Sequence, residues 1–403
     1  MVFHSASGLR TRSISATLAL ARAVGPAYGI RRAFEITRLD RIGWPVFAAV
    51  RPDARTVCVN NGKGNTPEEA EVSARMEAIE LTVAEEHHPP DGISSMTPHD
   101  YREATGGRIV DFCPILGRAV SLDRPLPCCM ANDVETGLAV PVPAELIVHP
   151  HHLDLDAAFL GWTTAGLASG NSEIEASVHG LCEVMERDVQ SIDALYDSSA
   201  LVAPESLCPS LRALDEAIRA AGLRAWLRWV PNVFGIPSFR YLVLDPESDS
   251  LCFANGGFGA HPNATVAARR AMQEAIQSRA AMIHGGREDL DEYVSFERSL
   301  SVADRRHYLA QIEASHQRAS RVVGLDEVPG RPVGDDLVQQ LADLVDCVHR
   351  AGLGPVLRYH YTRPDEPLQV LRILVPGAEN FTRATSKVGA RLHEALRLRK
   401  VAS

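Results

Sequence analysis

The chain has 403 residues, of which 45% are hydrophobic and 23% charged, and its net charge is −10. This is the composition of a globular protein with room for a large core, and the length suggests two or three lobes. The acidic balance argues against a general nucleic-acid binder or a protein held on anionic membranes, and no stretch approaches the roughly 20 apolar residues of a membrane span.

From Met1 to Arg22 the chain alternates Ser, Arg and Ala without the apolar centre of a signal peptide. This segment reads as a disordered or substrate-gating arm on a cytoplasmic protein. The cysteines, at 58, 113, 128, 129, 182, 208, 252 and 347, include no Cys-x-x-Cys pair. They read as reduced core thiols of that compartment.

A small unit then recurs three times. Its first copy runs through Tyr28-Gly29-Ile30, Ala33 to Thr37, Ile42-Gly43-Trp44-Pro45 and Val46 to Val50. The second runs through Ala221-Gly222-Leu223, Trp226 to Val230, Phe234-Gly235-Ile236-Pro237 and Phe239 to Leu244. The third starts at Ala351-Gly352-Leu353 and continues through Val356 to Tyr361 and Val370 to Val375. Each time a helix pattern ends at Gly and two strand patterns follow. Three such units predict an α/β (α+β) fold of pseudo-symmetric helix-strand-strand repeats.

A second repeat carries acids. Gly64-Asn65-Thr66 precedes Glu69-Ala70, Glu77 and Glu80; Gly170-Asn171-Ser172 precedes Glu175-Ala176, Glu183 and Glu186, each residue 106 positions later. Glu274-Ala275-Ile276-Gln277 is a third copy with its last acid replaced by an amide. Each copy predicts a turn feeding a helix. The first helix is expected over about Pro67 to Glu86, with Pro67 behind a Thr66 cap. Val72, Met76, Ile79 and Val83 make its apolar stripe, and Glu71, Arg75 and Thr82 its solvated face. Glu77 and Glu80 fall beside the stripe with Ser73, where unpaired carboxylates are costly, so they require cations. The second helix, about Ser172 to Ile192, places Glu175, Glu183 and Glu186 within about 80° of one another. His179 lies between them and Arg187 at the edge, while Val178, Met185 and Val189 flank the acids on the apolar side.

Five carboxylates on two such faces make a hard oxygen-donor set suited to Mg2+, which in turn implies phosphate. Gly62-Lys63-Gly64, between a strand and a helix, brings backbone N–H groups and a cation to that helix end. Arg270 replaces Ser73, and Gln277 replaces Glu80, in the third copy, as suits a helix facing phosphates. The three helices are expected to converge on one cavity, with Arg270 across from Glu77, Glu80, Glu183 and Glu186. Neither Gly-x-Ser-x-Gly nor a convincing Cys–His pair occurs, so no catalytic nucleophile is identified.

On these residues the chain resembles the YcaO family, in its TfuA-associated branch, from about Arg10 to Glu379. Further motifs shared with the family are Leu39-Asp40-Arg41-Ile42-Gly43, Gly166 to Asn171, Glu186-Arg187-Asp188, Gln277-Ser278-Arg279, Gly285-Gly286-Arg287 and Val375-Pro376-Gly377. The resemblance implies a single YcaO-like catalytic domain over 1–403, with subdomains at approximately 1–90, 91–200, 201–300 and 301–403, and acidic helices around a central nucleotide site. It implies Mg2+ on Glu77, Glu80, Glu175, Glu183 and Glu186. It places Ser73, Asn171, Arg187, Arg270 and Glu274 at nucleotide-contacting positions, matches Arg10 to an N-terminal phosphate-binding arginine, and lets His179 line the site. Leu81, where relatives often have Arg, and Glu288, where they often have Asp, depart from the pattern.

The implied activity is ATP- and Mg2+-dependent phosphorylation of a backbone amide oxygen in a ribosomally made peptide or protein. Attack by external sulfur then gives a thioamide, with a TfuA-like partner delivering the sulfur. A homodimer is expected. The absence of the proline-rich tail of azoline-forming cyclodehydratases points away from azolines. Azoline or amidine formation is the alternative product, and a non-catalytic peptide-binding scaffold is the alternative of another class.

Overall fold

The computed structural model describes residues 2–5, 8–89, 92–119, 121–150, 158–318, 321–331, 333–382 and 386–402. Its strands are β1 (Phe3–Ser5), β2 (Gly8–Arg10), β3 (Arg32–Glu35), β4 (Val46–Val50), β5 (Val59–Lys63), β6 (Ser94–Met96), β7 (Leu126–Asp133), β8 (Ala139–Pro143), β9 (Leu167–Gly170), β10 (Ala200–Val202), β11 (Arg224–Trp229), β12 (Ser238–Leu244), β13 (Ala254–Ala260), β14 (Val322–Val323), β15 (Leu357–His360) and β16 (Gln369–Leu374). Its helices are α1 (Ile14–Val24), α2 (Pro67–Glu86), α3 (Pro98–Thr105), α4 (Glu173–Asp193), α5 (Pro209–Ala220), α6 (Ala264–His284), α7 (Asp291–Ser299), α8 (Val302–Gln317), α9 (Leu337–Arg350) and α10 (Ala390–Ala402). Among the described residues no helix is long and apolar enough to cross a membrane.

The chain divides into two compact units, Met1–Ile79 with Ser198–Asp335, and Glu80–Asp197 with Asp336–Ser403. The division falls inside α2, between Glu77 and Glu80.

The first unit holds the antiparallel sheet β3-β4-β5 and a five-stranded sheet in the order β13-β12-β11-β10-β14. Its core joins Leu211, Leu214 and Ile218 of α5 and Met272 and Ile276 of α6 to Phe239, Tyr241, Val46 and Val59 of the strands. Tyr241 is buried with its hydroxyl satisfied, donating to Asp215 Oδ1 at 2.8 Å. The second unit holds a six-stranded sheet whose path is β6-β7-β15-β16-β9, with β8 on β7. Leu81, Leu126, Leu167, Leu357, Val370 and Leu374 fill its core.

The helix-strand-strand repeat is present three times, as α1-β3-β4, α5-β11-β12 and α9-β15-β16. Gly29, Gly222 and Gly352, with φ of 72°, 74° and 72°, make the turn out of each helix in the left-handed region that glycine adopts freely. Each repeat is larger than the sequence suggested. β4, β12 and β16 each pair antiparallel with a third strand, respectively β5, β13 and β9, and that strand feeds a long helix, α2, α6 or α4. In the third repeat the closing strand comes first in the chain: Leu167 to Gly170 pair with Arg372 to Gln369.

Small residues let the long helices lie directly on these strands. A Cβ on Gly62 would stand 2.0 Å from Ala74 N, and one on Gly257 2.2 Å from Ala271 O. On α2 the fully buried stripe is therefore Ala70, Ala74 and Ala78, joined by Ile79, while Val72, Met76 and Val83 keep part of their surface open. The solvated face expected at Glu71 and Thr82 is also buried, at 6% and 4% exposure. Glu71 is covered because Arg22 of α1 reaches over it, with Nε 2.9 Å from Oε1, and Arg75 Nε donates to it at 2.7 Å. A helix read alone gives no sign of that neighbour.

The N-terminal arm is corrected by the same contact. β1 and β2 form a hairpin, Ser13 caps α1, and Leu18 and Ala21 are buried. All eight cysteines are free, five of them buried.

Candidate functional site

In the first unit, the end of β5 and the facing sides of α2 and α6 bring the expected groups together. Thr66 Oγ1 accepts from Glu69 N at 3.2 Å, and Asn65 N donates to Glu69 Oε2 at 2.6 Å, fixing the start of α2. Lys63 Nζ lies 3.0 Å from Glu274 Oε2 on α6. Glu274 also accepts from Phe258 N at 3.4 Å. Gln277 Nε2 donates to Asn61 O at 2.6 Å, and Gln273 Nε2 to Asn65 Oδ1 at 2.7 Å. Burial pushes the Glu77 carboxyl up, opposed by the charges of Arg287 and Lys63 and reinforced by Glu274 and Asp289. Glu77 is thus a carboxylate whose ionised form gains from an added cation. Ser73 stands one turn ahead of it on the helix.

Arg10 and Arg270 act on a common neighbour. His261 is 4% exposed and accepts from Asn263 N through Nδ1 at 3.0 Å. Burial, then the charges of Arg270 and Arg10, press its pKa down to about 3. The imidazole is neutral and feels the positive charge of both arginines, a setting that favours an anion over a cation.

The second unit carries the other acidic helix. Ser172 caps α4, accepting from Glu175 N at 3.4 Å, and Asn171 Nδ2 donates to both Glu175 carboxylate oxygens at 3.1 and 3.3 Å. Glu183 pairs with Arg187 at 3.5 Å, and Arg187 also donates to Gln190 Oε1 at 3.0 Å. Glu186 is 5% exposed, and Val178, Met185 and Val189 are buried around this helix as its period predicts. His179 is half-buried two turns before Glu186. Glu175 lies about 12 Å along the axis from Glu183. The three α4 carboxylates therefore form two groups: Glu175 with Asn171, and Glu183 with Glu186. Glu80 is half-buried, and its charge reaches Tyr361.

Three residues that sequence reasoning did not place in the site share its surroundings. Arg287 opposes the rise of Glu77. His261 sits at the position equivalent to Gly64 and Gly170 in its repeat. Asn61 is fully buried with no hydrogen-bond partner at Nδ2 or Oδ1 among the described residues, on the β5 face that also carries Lys63. A signal existed only for Arg287, in Gly285-Gly286-Arg287. The departures from the family pattern are absorbed locally: Leu81 packs into the core of the second unit, and Glu288 accepts from Cys58 N at 3.2 Å.

Oxygen donors are what a hard divalent cation takes, and lysine, arginine and an orphaned amide are what phosphate oxygens take. The residues present fit both groups. This is the composition of a nucleotide-dependent enzyme of the carboxylate-and-Mg2+ kind.

Comparison with known proteins gives the same answer. Residues 61–379 match the YcaO cyclodehydratase family, which is ATP- and Mg2+-binding. A protein of Methanothermobacter thermautotrophicus is 32% identical over 384 residues, covering 91% of this chain and 94% of its own. A protein from the tfuA 3′ region of Rhizobium leguminosarum bv. trifolii is 28% identical over 375 residues, covering 87% and 84%. Among solved structures, YcaO from Methanopyrus kandleri bound with AMPPCP and Mg2+ superposes with a TM-score of 0.76 at 24% identity, covering 96% of this chain and 97% of that one. A heterocyclase in complex with substrate and cofactor gives 0.73 at 19%, covering 99% of this chain and 56% of that longer one. The chain belongs to the YcaO family, and the tfuA-region relative supports its TfuA-associated branch.

Proposed function

We propose that the protein uses ATP and Mg2+ to activate a backbone amide in a ribosomally made peptide or protein and, with a TfuA-like partner delivering sulfur, converts it to a thioamide. The observation that carries this reading is the relative from the tfuA 3′ region, similar across 87% of the chain, together with a duplicated acidic helix. Glu77 and Glu80 on α2, and Glu183 and Glu186 on α4, are the carboxylates for Mg2+, with Glu175 serving a separate ion or the nucleotide through Asn171. Lys63, Arg270, Arg10, Ser73, Arg187, Glu274 and His179 are the groups for the nucleotide.

An amide carbon is a weak electrophile and its oxygen a poor leaving group. A sulfide nucleophile adds to the carbon, and the resulting oxyanion takes the terminal phosphoryl of ATP, releasing ADP. Collapse then breaks the C–O bond, expels phosphate and forms C=S. Mg2+ spreads the charge of the transferring phosphoryl. The side chains bind and orient, Lys63 and the arginines neutralising phosphate oxygens, and no side-chain nucleophile is needed.

A second reading is favoured by the family's own activity, cyclodehydration. A Cys, Ser or Thr side chain of the peptide then replaces sulfide, and the product is an azoline. Mass analysis separates the two. The purified protein, given ATP, Mg2+, a sulfur donor, its peptide and the TfuA-like partner, should yield a peptide heavier by the exchange of oxygen for sulfur, with phosphate release dependent on peptide. A peptide lighter by one water moves the assignment to azoline formation. ATP hydrolysis coupled to neither product rejects both.

A further inference from the structure

Helix α4 has a second polar side, which the proposed chemistry does not use. At about 100° per residue, Asp188 lies roughly 140–160° round the helix from Glu183 and Glu186. It is 1% exposed, accepts from Glu379 N at 2.8 Å and pairs with Arg391 at the start of α10. One turn on, Ser191 Oγ accepts from Phe381 N at 2.8 Å.

Glu379, also 1% exposed, turns the other way. Its Oε2 accepts from Gly389 N at 2.7 Å and its Oε1 from Leu392 N at 2.8 Å, so it caps the first turn of α10. Gly389 is required by this approach. A Cβ there would stand 2.6 and 2.7 Å from the Glu379 carboxylate oxygens and 2.8 Å from Cys113 Sγ. Beside it, Lys387 is 1% exposed and donates to Leu160 O at 2.7 Å and Gly161 O at 3.2 Å. The back of α4, the 379–381 segment and the start of α10 are thus joined by buried, directional bonds.

Directional bonds to buried charges fix what apolar packing leaves adjustable. A rotation of α4 by about 20° would carry a carboxylate about 6 Å from its axis through about 2 Å. Mg2+ holds its oxygen ligands near 2.0–2.1 Å in a demanding octahedron and does not follow such a shift. We infer that Asp188, Glu379 and Arg391 are positioning residues: they form a clasp from the start of α10 that sets the rotation of α4 and thereby aims Glu183 and Glu186. This rests on the nucleotide reading of α4 given above.

The test is calorimetric titration of ATP, at limiting and at saturating Mg2+, into the full chain and into Arg391→Ala, Arg391→Lys and Gly389→Ala. A positioning partner behind a metal ligand typically governs 10–100-fold in metal affinity. Arg391→Ala and Gly389→Ala should therefore raise the Mg2+ concentration needed for ATP binding by about tenfold or more. Arg391→Lys, which keeps the charge, should recover most of it. Far-UV circular dichroism of each variant reports whether it folds, and if Gly389→Ala does not, the two Arg391 variants decide. Folded variants with the wild-type Mg2+ requirement, even at a lower melting temperature, would overturn the clasp while leaving the nucleotide reading intact. A wild-type chain that binds no Mg–ATP would overturn the nucleotide reading itself.

Discussion

Gly62→Ala tests the contact on which the first repeat is built. The new Cβ would lie 2.0 Å from Ala74 N, 2.2 Å from Ala70 O and 2.7 Å from Ala74 Cα, where real Cβ contacts essentially never fall below 3.0 Å. All three atoms are helix backbone, so no side chain can swing aside and β5 must part from α2 by about 1 Å. The gap would open along Ala70, Ala74 and Ala78, each 0% exposed, and a gap of that size forfeits a quarter to a half of each dispersion contact. Overpacking of this kind costs about 3 kcal/mol, offset by roughly 0.5–1 kcal/mol because alanine is the better residue in regular structure. A net loss of about 2–3 kcal/mol corresponds to a fall in Tm of roughly 4–12 °C for a unit of 150–250 residues. Differential scanning calorimetry of the full chain would measure it, with Gly334→Ala as the control, since among the described residues a Cβ there would meet nothing within 4 Å beyond its chain neighbours. Gly257→Ala should repeat the effect on α6, where a Cβ meets Ala271 O at 2.2 Å and Ala275 N at 2.4 Å. A Gly62→Ala protein melting within a degree of wild type would refute the close strand–helix contact.

Two further outcomes are expected. Glu80→Gln and Glu186→Gln should each lose Mg2+-dependent ATP binding while the apoprotein melts unchanged or slightly higher, because removing one charge from an acidic helix relieves repulsion; calorimetry finding wild-type affinity in both would refute their assignment. Glu71 gives a pH signature. Its hydrogen bond from Arg22 holds the carboxyl below its usual value, against burial and with help from Arg75. A carboxyl depressed in the folded state contributes stability that is complete above its unfolded pKa of about 4.3 and is lost as pH falls through the lower folded value. Arg22→Met should therefore be less stable than wild type near neutral pH and lose less stability on acidification below about pH 4.3, as read by urea melts across pH. Parallel pH curves for the two proteins would show that the pair is not the source.

Much of the fold is visible in the residues because it is set by local rules. Gly29, Gly222 and Gly352 each end a helix in a conformation few other residues adopt, and Thr66 and Ser172 each cap a helix through a side-chain oxygen. These features recur at fixed spacing and can be counted. What covers a helix is different. The period of α2 marks Glu71 and Thr82 as outward-facing, and it holds no information about α1, whose Arg22 arrives from 49 residues earlier. Nor does it reveal that Gly62 and the alanine stripe will outrank Val72 and Met76 in the core, because that depends on how closely a strand approaches. The Ser/Arg-rich start looked unstructured for the same reason: its few apolar residues suffice only once Leu18 and Ala21 have something to pack against.

The two repeats seen separately in the sequence, one of strands and one of acidic helices, are parts of a single unit. The third copy conceals this because its closing strand and helix, Leu167–Gly170 and Glu173–Asp193, precede its first helix and strands by well over a hundred residues. The pairing of Leu167 to Gly170 with Arg372 to Gln369 joins them, and long-range pairing leaves no local periodicity. Once the unit is complete, equivalent positions can be compared across it. Glu77, Glu183 and Glu274 occupy one such position, and each has been given a different environment. Glu77 is raised by burial, Glu183 is paired with the arginine one turn on, and Glu274 is held by Lys63 and Phe258 N. At the next position the acids Glu80 and Glu186 give way to Gln277, whose amide is spent on Asn61 O. One scaffold position thus supplies three carboxylates in three settings: one raised by burial, one beside an arginine of its own helix and one beside a lysine from a strand. A threefold repeat, alike in its backbone, thus carries different polar groups at equivalent positions, which is the variation that the proposed division between metal ligands and phosphate-facing groups requires.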